Sequence, residues 1–281
     1  MWQTAGGGLR ATAAHRGEYC TFVVAPGGAQ VDVAWSSVTP LQDVMLYLLG
    51  PVLGIVLRLR GAICLHGSAV SYRGRAAVLV GPKGAGKSTT AAALMARGCT
   101  VLTDDVAVIE RADGRFYVQP GYPGMRLRAA PAAHLYGAEA ALPGLWSEAP
   151  DREHVQRRYL DLSDRNGRFS TRALPLAAVY VLDGRRAAGT HPRIDPLPRM
   201  QGLLTLAANA YVDYALTEAA RAHEWRSLEQ MLREAPARRL VRSEGLDTLD
   251  AICDVLLDDL RRHDLSGEDL HEEPPIPVKQ R

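Results

Sequence analysis

Cysteine is scarce in this sequence. Cys20, Cys64, Cys99 and Cys253 are the only four in 281 residues, and no two of them form a C-x-x-C pair. That scatter argues against a disulfide framework or a thiolate zinc site and fits a reducing cytoplasm. An excess of one charge is also missing. Lys and Arg number 33 against 31 Asp and Glu, a net charge of +2, so nothing electrostatic points to nucleic acid. The N-terminal "MWQTAGGGLRATAAHRGEYC" lacks the apolar h-region of a secretory signal. The most apolar stretch, "VMLYLLGPVLGIVL" at residues 44–57, is too short for a bilayer and is broken by Gly50-Pro51. It reads as a buried helix pair, and no membrane partner is expected. Internal repeats are absent too.

What is present is a large apolar fraction, 47% of the chain, enough for a sizeable core. The length suits one large α/β domain with a small appendage. Residues 1–60 read as an N-terminal extension: two strands, "YCTFVVA" and "AQVDVAW", around a Pro26-Gly27-Gly28 turn, then helix divided at Pro51. From Gly61 to residue 264, strands alternate with helices, the pattern of an α/β layer. "LPLAAVYVLDG" is a buried strand, residues 199–234 are helical, "RRLVR" reads as a last strand, and "LDTLDAICDVLLDDLRRH" is an amphipathic helix. Residues 120–170 suggest long loops with short elements, and residues 265–281 a mobile polar tail.

One stretch carries chemistry. In "LVGPKGAGKSTT", Gly81, Gly86, Lys87 and Ser88 match G-x-x-x-x-G-K-[ST], with an apolar strand before and a helix after. Backbone N–H groups of such a turn, with the N-terminus of the following helix, favour phosphate oxygens. Residues 81–89 (Gly81, Pro82, Lys83, Gly84, Ala85, Gly86, Lys87, Ser88, Thr89) are therefore the expected nucleotide-binding set. Lys87 reaches toward the β- and γ-phosphates, and the Ser88 hydroxyl toward Mg²⁺.

Its neighbours suggest what the nucleotide is for. If "CLHGSAVSY" and "RAAVLV" form a hairpin about Arg73-Gly74, paired positions sum to 147 and His66 lies opposite Gly81. Asp104-Asp105 follow the strand "TVL". If that strand runs parallel to residues 76–80, the carboxylates open on the same sheet edge as the glycine-rich turn. One of the two could then hold Mg²⁺, directly or through water, and the other could take a proton from an incoming hydroxyl. Arg126, Arg128, Arg157 and Arg158 are candidates for phosphate or acidic substrate contacts. No guanine-reading N-K-x-D is present, and "DLSGED" lacks the rest of an ABC signature.

Residues 65–110, from "LHGSAVSY" through "TDDVAVIE", resemble the catalytic core of HPr kinase/phosphorylase. They are closer to the HPr-kinase-related kinases of lasso-peptide gene clusters. The resemblance implies a nucleotide-binding fold like that of phosphoenolpyruvate carboxykinase, a mixed sheet flanked by helices, using ATP and Mg²⁺. It implies His66 as the active-site histidine, Lys87 as the catalytic lysine, Ser88 as a metal-binding hydroxyl and Asp105 as proton acceptor for a substrate serine, with Asp104 its acidic neighbour. Pro82-Lys83 and "VQPGYPGMRLR" depart from the HPr enzyme's own loop and signature, which points away from HPr as acceptor and from the reverse phosphorolysis. A peptide or protein serine is the expected acceptor. A small-molecule alcohol and a non-catalytic nucleotide sensor stay open as alternatives, and the hexameric HPr enzyme makes a homo-oligomer compatible with the sequence.

Overall fold

The computed structural model describes residues 2–5, 8–15, 18–137, 142–143, 157–163, 167–187, 189–211 and 216–264. The fold is mixed α/β. The chain opens with β1 (Trp2–Ala5), β2 (Gly8–His15), β3 (Glu18–Val24) and β4 (Val31–Trp35), an antiparallel sheet in the order β1-β2-β3-β4. Two of these strands were expected; β1 and β2, whose only large apolar residues are Trp2 and Leu9, carry no apolar alternation that would have announced them. Then come α1 (Leu41–Tyr47), a π-helical turn (Leu48–Val52) and α2 (Leu53–Leu59). The division falls at Pro51, which has no N–H for the helical ladder. Phe22, Val24, Val44, Val52 and Ile55 form a small core between this sheet and the two helices.

The larger sheet begins with β5 (Ile63–Tyr72) and β6 (Arg75–Val80). They pair antiparallel from Gly67↔Val80 to Tyr72↔Arg75, the expected register, through a turn whose Arg73 and Gly74 both have positive φ. α3 (Lys87–Ala96), β7 (Thr100–Thr103), β8 (Val106–Ala112), β9 (Arg115–Val118), β10 (Gly124–Arg128), α4 (Ala129–Tyr136), β11 (Arg157–Asp161), β12 (Leu174–Leu182) and β13 (Arg193–Pro196) follow. The described chain ends with α5 (Arg199–Ala208), α6 (Glu218–Glu234), β14 (Ala237–Val241) and α7 (Leu249–Asp264). The expected mobile tail lies outside the described residues. β10 and β11 form a separate antiparallel ribbon.

In the main sheet the order is β13-β14-β12-β6-β5-β8-β9, and β9 returns to pair the first residues of β12. β14 and β6 both run parallel to β12. These central strands, "RAAVLV" and "LPLAAVYVL", are nearly continuous apolar runs because helices cover both faces. α3 and α7 pack on one face, where Leu94, Val101, Tyr180, Leu240 and Leu256 are buried together. α5 and α6 pack on the other, around Val78, Val179, Leu206 and Met231.

β7 and β8 do not form separate strands of an open sheet. Both pair with β5: β7 lies along residues 69–71 of it, and β8 along residues 63–66. They are two halves of one strand path, interrupted at Asp104-Asp105. β7 is antiparallel to β5, as is β6, so β6 and β7 do run in the same direction. The aspartate pair, however, sits in an interruption inside the sheet and not at the free carboxyl end of a strand.

Candidate active site

Adjacent residues of a regular strand point to opposite faces. Asp104 and Asp105 escape this rule because Asp105 takes a left-handed backbone, φ 76°, a conformation Asp tolerates better than most side chains. Thr103 bridges the interruption by donating its hydroxyl to the Val106 carbonyl at 2.8 Å, and the Gly67 amide donates to the Asp105 carbonyl at 3.3 Å. Both carboxylates then line one cavity of about 330 Å³.

Asp104 is the buried member. Its Oδ1 accepts from the hydroxyls of Ser68 at 2.7 Å and Ser88 at 2.8 Å, and its Oδ2 from the Arg126 amide at 3.0 Å. Burial pushes its pKa up, and these three hydrogen bonds only partly oppose that. Asp105 lies nearer the cavity mouth. His66 Nδ1 is 3.3 Å from its Oδ1 and 3.1 Å from its carbonyl, and Arg126 Nη1 is 3.6 Å from its Oδ2. Tyr211 lines the cavity beside it, its phenol pKa pushed up first by burial and then by the Asp105 charge. Burial, followed by the charge of Lys87, lowers the His66 pKa, which favours the neutral imidazole.

The glycine-rich turn connects β6 to α3. At Gly81, φ 150°, a Cβ would stand 2.5 Å from the Leu182 carbonyl, so the end of β12 leaves room only for glycine. Gly86 precedes α3 with φ 97°. Lys87 is buried and its Nζ donates to the carbonyls of Gly81 at 2.8 Å and Pro82 at 3.3 Å; burial lowers its pKa. Lys83, Gly84, Gly86, Lys87, Ser88 and Thr89 all line the cavity. Gly81 and Pro82 border an adjoining cleft of about 350 Å³, and Ala85 packs inward on the core.

Of the four arginines expected near the site, Arg126, Arg128 and Arg157 line the cavity and Arg158 does not. The β10–β11 register explains the correction. Arg158 is opposite Leu127, a core residue, while Arg157 is opposite Arg128 on the other face of the ribbon. Tyr47, Pro51, Arg185 and Tyr211 complete the lining, and sequence reasoning missed all four. Tyr47 and Pro51 come from the N-terminal helices. Tyr211 follows α5, where the segment 209–211 runs beside β5: the His66 amide donates to Asn209 at 2.7 Å and the Tyr211 amide to Cys64 at 2.8 Å. No short-range spacing signals that contact. Arg185 did have a signal, since it lies in the loop that leaves β12 at Leu182, a strand parallel to β6, and such carboxyl ends border ligands.

Among the described residues no group of three or more His, Cys, Asp or Glu is arranged to hold a metal ion. One buried carboxylate hydrogen-bonded to a hydroxyl is nonetheless an oxygen donor pair suited to Mg²⁺ held largely by phosphate and water. No described helix is long and apolar enough to cross a membrane. All four cysteines are buried, and none is joined in a disulfide among the described residues.

No family model matches the chain, and no curated protein matches it in sequence. Among solved structures, it is similar to the Hpr(Ser) kinase/phosphatase from Coxiella burnetii. That likeness covers 72% of this chain and 95% of the other, at 9% identity and a TM-score of 0.35. A likeness this distant carries no functional weight. The geometry of the cavity has to supply it.

Proposed function

We propose that this protein is an ATP- and Mg²⁺-dependent kinase that transfers the γ-phosphoryl group to a hydroxyl, a serine on a peptide such as a lasso precursor. The observation that carries this reading is convergence. Lys87, the Ser88–Asp104 pair and the His66–Asp105 pair, from three separate stretches of chain, line one cavity ringed by arginines. Its resemblance over residues 65–110 assigns the same residues to the same chemistry.

Lys87 and the turn's N–H groups hold the phosphates, and Arg126, Arg128 and Arg157 add positive charge at the rim. Ser88 and Asp104 are the residues that would hold Mg²⁺, which when bound neutralises charge on the phosphates. Asp105 accepts the proton as the hydroxyl oxygen bonds to the γ-phosphorus and the bond to the bridging oxygen breaks, leaving ADP and a phosphate ester. His66, neutral beside Asp105, and Tyr211 orient that carboxylate. Positioning and electrostatics supply most of the catalysis in such a site. The adjoining cleft shares Pro51, His66, Lys83 and Tyr211 with the main cavity, and this space beside the glycine-rich turn suits a chain segment. By the same reading residues 1–60 are an extension to a kinase domain spanning residues 61–264.

A single-turnover assay with labelled ATP and serine peptides tests the proposal. Wild type should form phosphoserine, Lys87→Ala should form none, and Asp105→Asn should lose transfer while still binding nucleotide. Loss of binding together with transfer in Asp105→Asn would remove the base role. Transfer to free serine but to no peptide would move the acceptor to a small molecule.

A further inference from the structure

The glycine-rich turn is flanked by two guanidinium groups that the motif does not include. Arg128 Nη2, from β10, is 3.4 Å from where a Cβ on Gly84 would stand, and Arg185 Nη2, from beyond β12, is 3.7 Å from the same point on Gly86. Among the described residues no carboxylate pairs with Arg128 or Arg185. The carboxylate nearest in sequence to Arg185, Asp183, is instead 3.5 Å from Arg239 and 4.0 Å from Arg186.

A third arginine lies behind them. Arg242 follows β14, is 4% exposed, and donates to the carbonyls of Ala85 in the turn and of Asp183 at the end of β12. Its buried Nε has no hydrogen-bond partner among the described residues. Burial, and then the charge of Arg185, lower its pKa to about 10. Like charges held close in a partly buried place repel, and an anion between them would turn that repulsion into attraction.

We propose that Arg185, backed by Arg242, and Arg128 clamp the polyphosphate chain of the nucleotide from opposite sides of the glycine-rich turn. The proposal rests on the nucleotide-binding reading above and adds a residue and a location to it. Gly86 adjoins the start of α3, where backbone N–H groups of such a motif cradle the α- and β-phosphates. Arg185 therefore grips the part of the chain that ADP and ATP share.

Titration calorimetry with Mg-ADP and with Mg-ATP tests this on the full-length protein. Arg185 is exposed, so Arg185→Ala should fold, as a thermal melt would check. Loss of one charge-assisted contact to phosphate should weaken both nucleotides about tenfold or more. Arg186→Ala, which removes the same charge one residue along, should leave both affinities unchanged. Wild-type affinity in Arg185→Ala would overturn the clamp. A loss confined to ATP would overturn the assignment to the shared phosphates, and equal losses in Arg186→Ala would reduce the effect to general electrostatics. Failure of wild type to bind either nucleotide would overturn the nucleotide-binding reading itself.

Discussion

Asp104 is a carboxylate whose cost to the fold and use to the site have the same origin. Its pKa is raised in the folded protein, so the group is neutral in both states below the ordinary carboxylate range. As pH rises through the folded pKa, the stability present at low pH is lost, because the unfolded chain has already released this proton. Asn at this position can satisfy every partner: its carbonyl still accepts from the Arg126 amide, and its two N–H groups donate to Ser68 and Ser88 with those two bonds reversed. Asp104→Asn is therefore expected to melt at or above the wild-type temperature at pH 8, with the gain shrinking toward pH 4. In calorimetry, Mg²⁺ should no longer strengthen its ATP binding. A melting temperature well below wild type at pH 8 would count against a buried charge at this position. Asp105 differs from its neighbour because a single positive φ swings it toward His66, Arg126 and Tyr211.

The strand–turn–helix unit is the element most legible in the sequence, because each of its parts is local. An apolar run, a glycine-rich turn and a helix with a glycine beyond it need no distant partner to be recognised. The register of β5 with β6 was equally readable from one two-residue turn. Elements that depend on distant partners were not. β7 and β8 look like two strands, and only their shared pairing with β5 makes them one interrupted path. The close approach of Leu182 to the turn is another such contact. Gly81→Ala should cost about 1–3 kcal/mol of unfolding free energy, since the colliding atom is backbone and cannot rotate away. Urea denaturation would measure it, and unaltered stability would mean that the end of β12 does not hold the turn as described.

For the molecule as a whole, the N-terminal helices are part of the site, although the sequence set them apart as an extension. Tyr47 and Pro51 line the cavity, and a Cβ on Gly50 would be 3.3 Å from Asp105 Oδ2. α2 is tied to the rest by Arg58, 1% exposed, which pairs with Glu224 of α6 and donates to the Tyr211 carbonyl. Truncating one partner of a buried pair strands the other, at about 3–5 kcal/mol. Arg58→Ala should accordingly lower the melting temperature sharply. At temperatures where it stays folded, phosphoryl transfer should fall further than nucleotide affinity, because Tyr211 and Asp105 lose their support while the glycine-rich turn does not. Equal losses in the two readouts would assign Arg58 to stability alone.

The amino-acid sequence by itself determined the α/β layering, the hairpin register, the glycine-rich turn and the identity of the aspartate pair. Each of these is written in residues that are close together and governed by turn chemistry or hydrophobic periodicity. Only the tertiary structure decided that both carboxylates face one cavity, that Arg157 joins it while Arg158 turns to the core, and that Tyr47, Arg185 and Tyr211 complete it. Those outcomes depend on strand pairing and packing between residues as many as 166 positions apart, such as Arg58 and Glu224. No local pattern encodes a contact over that span of chain.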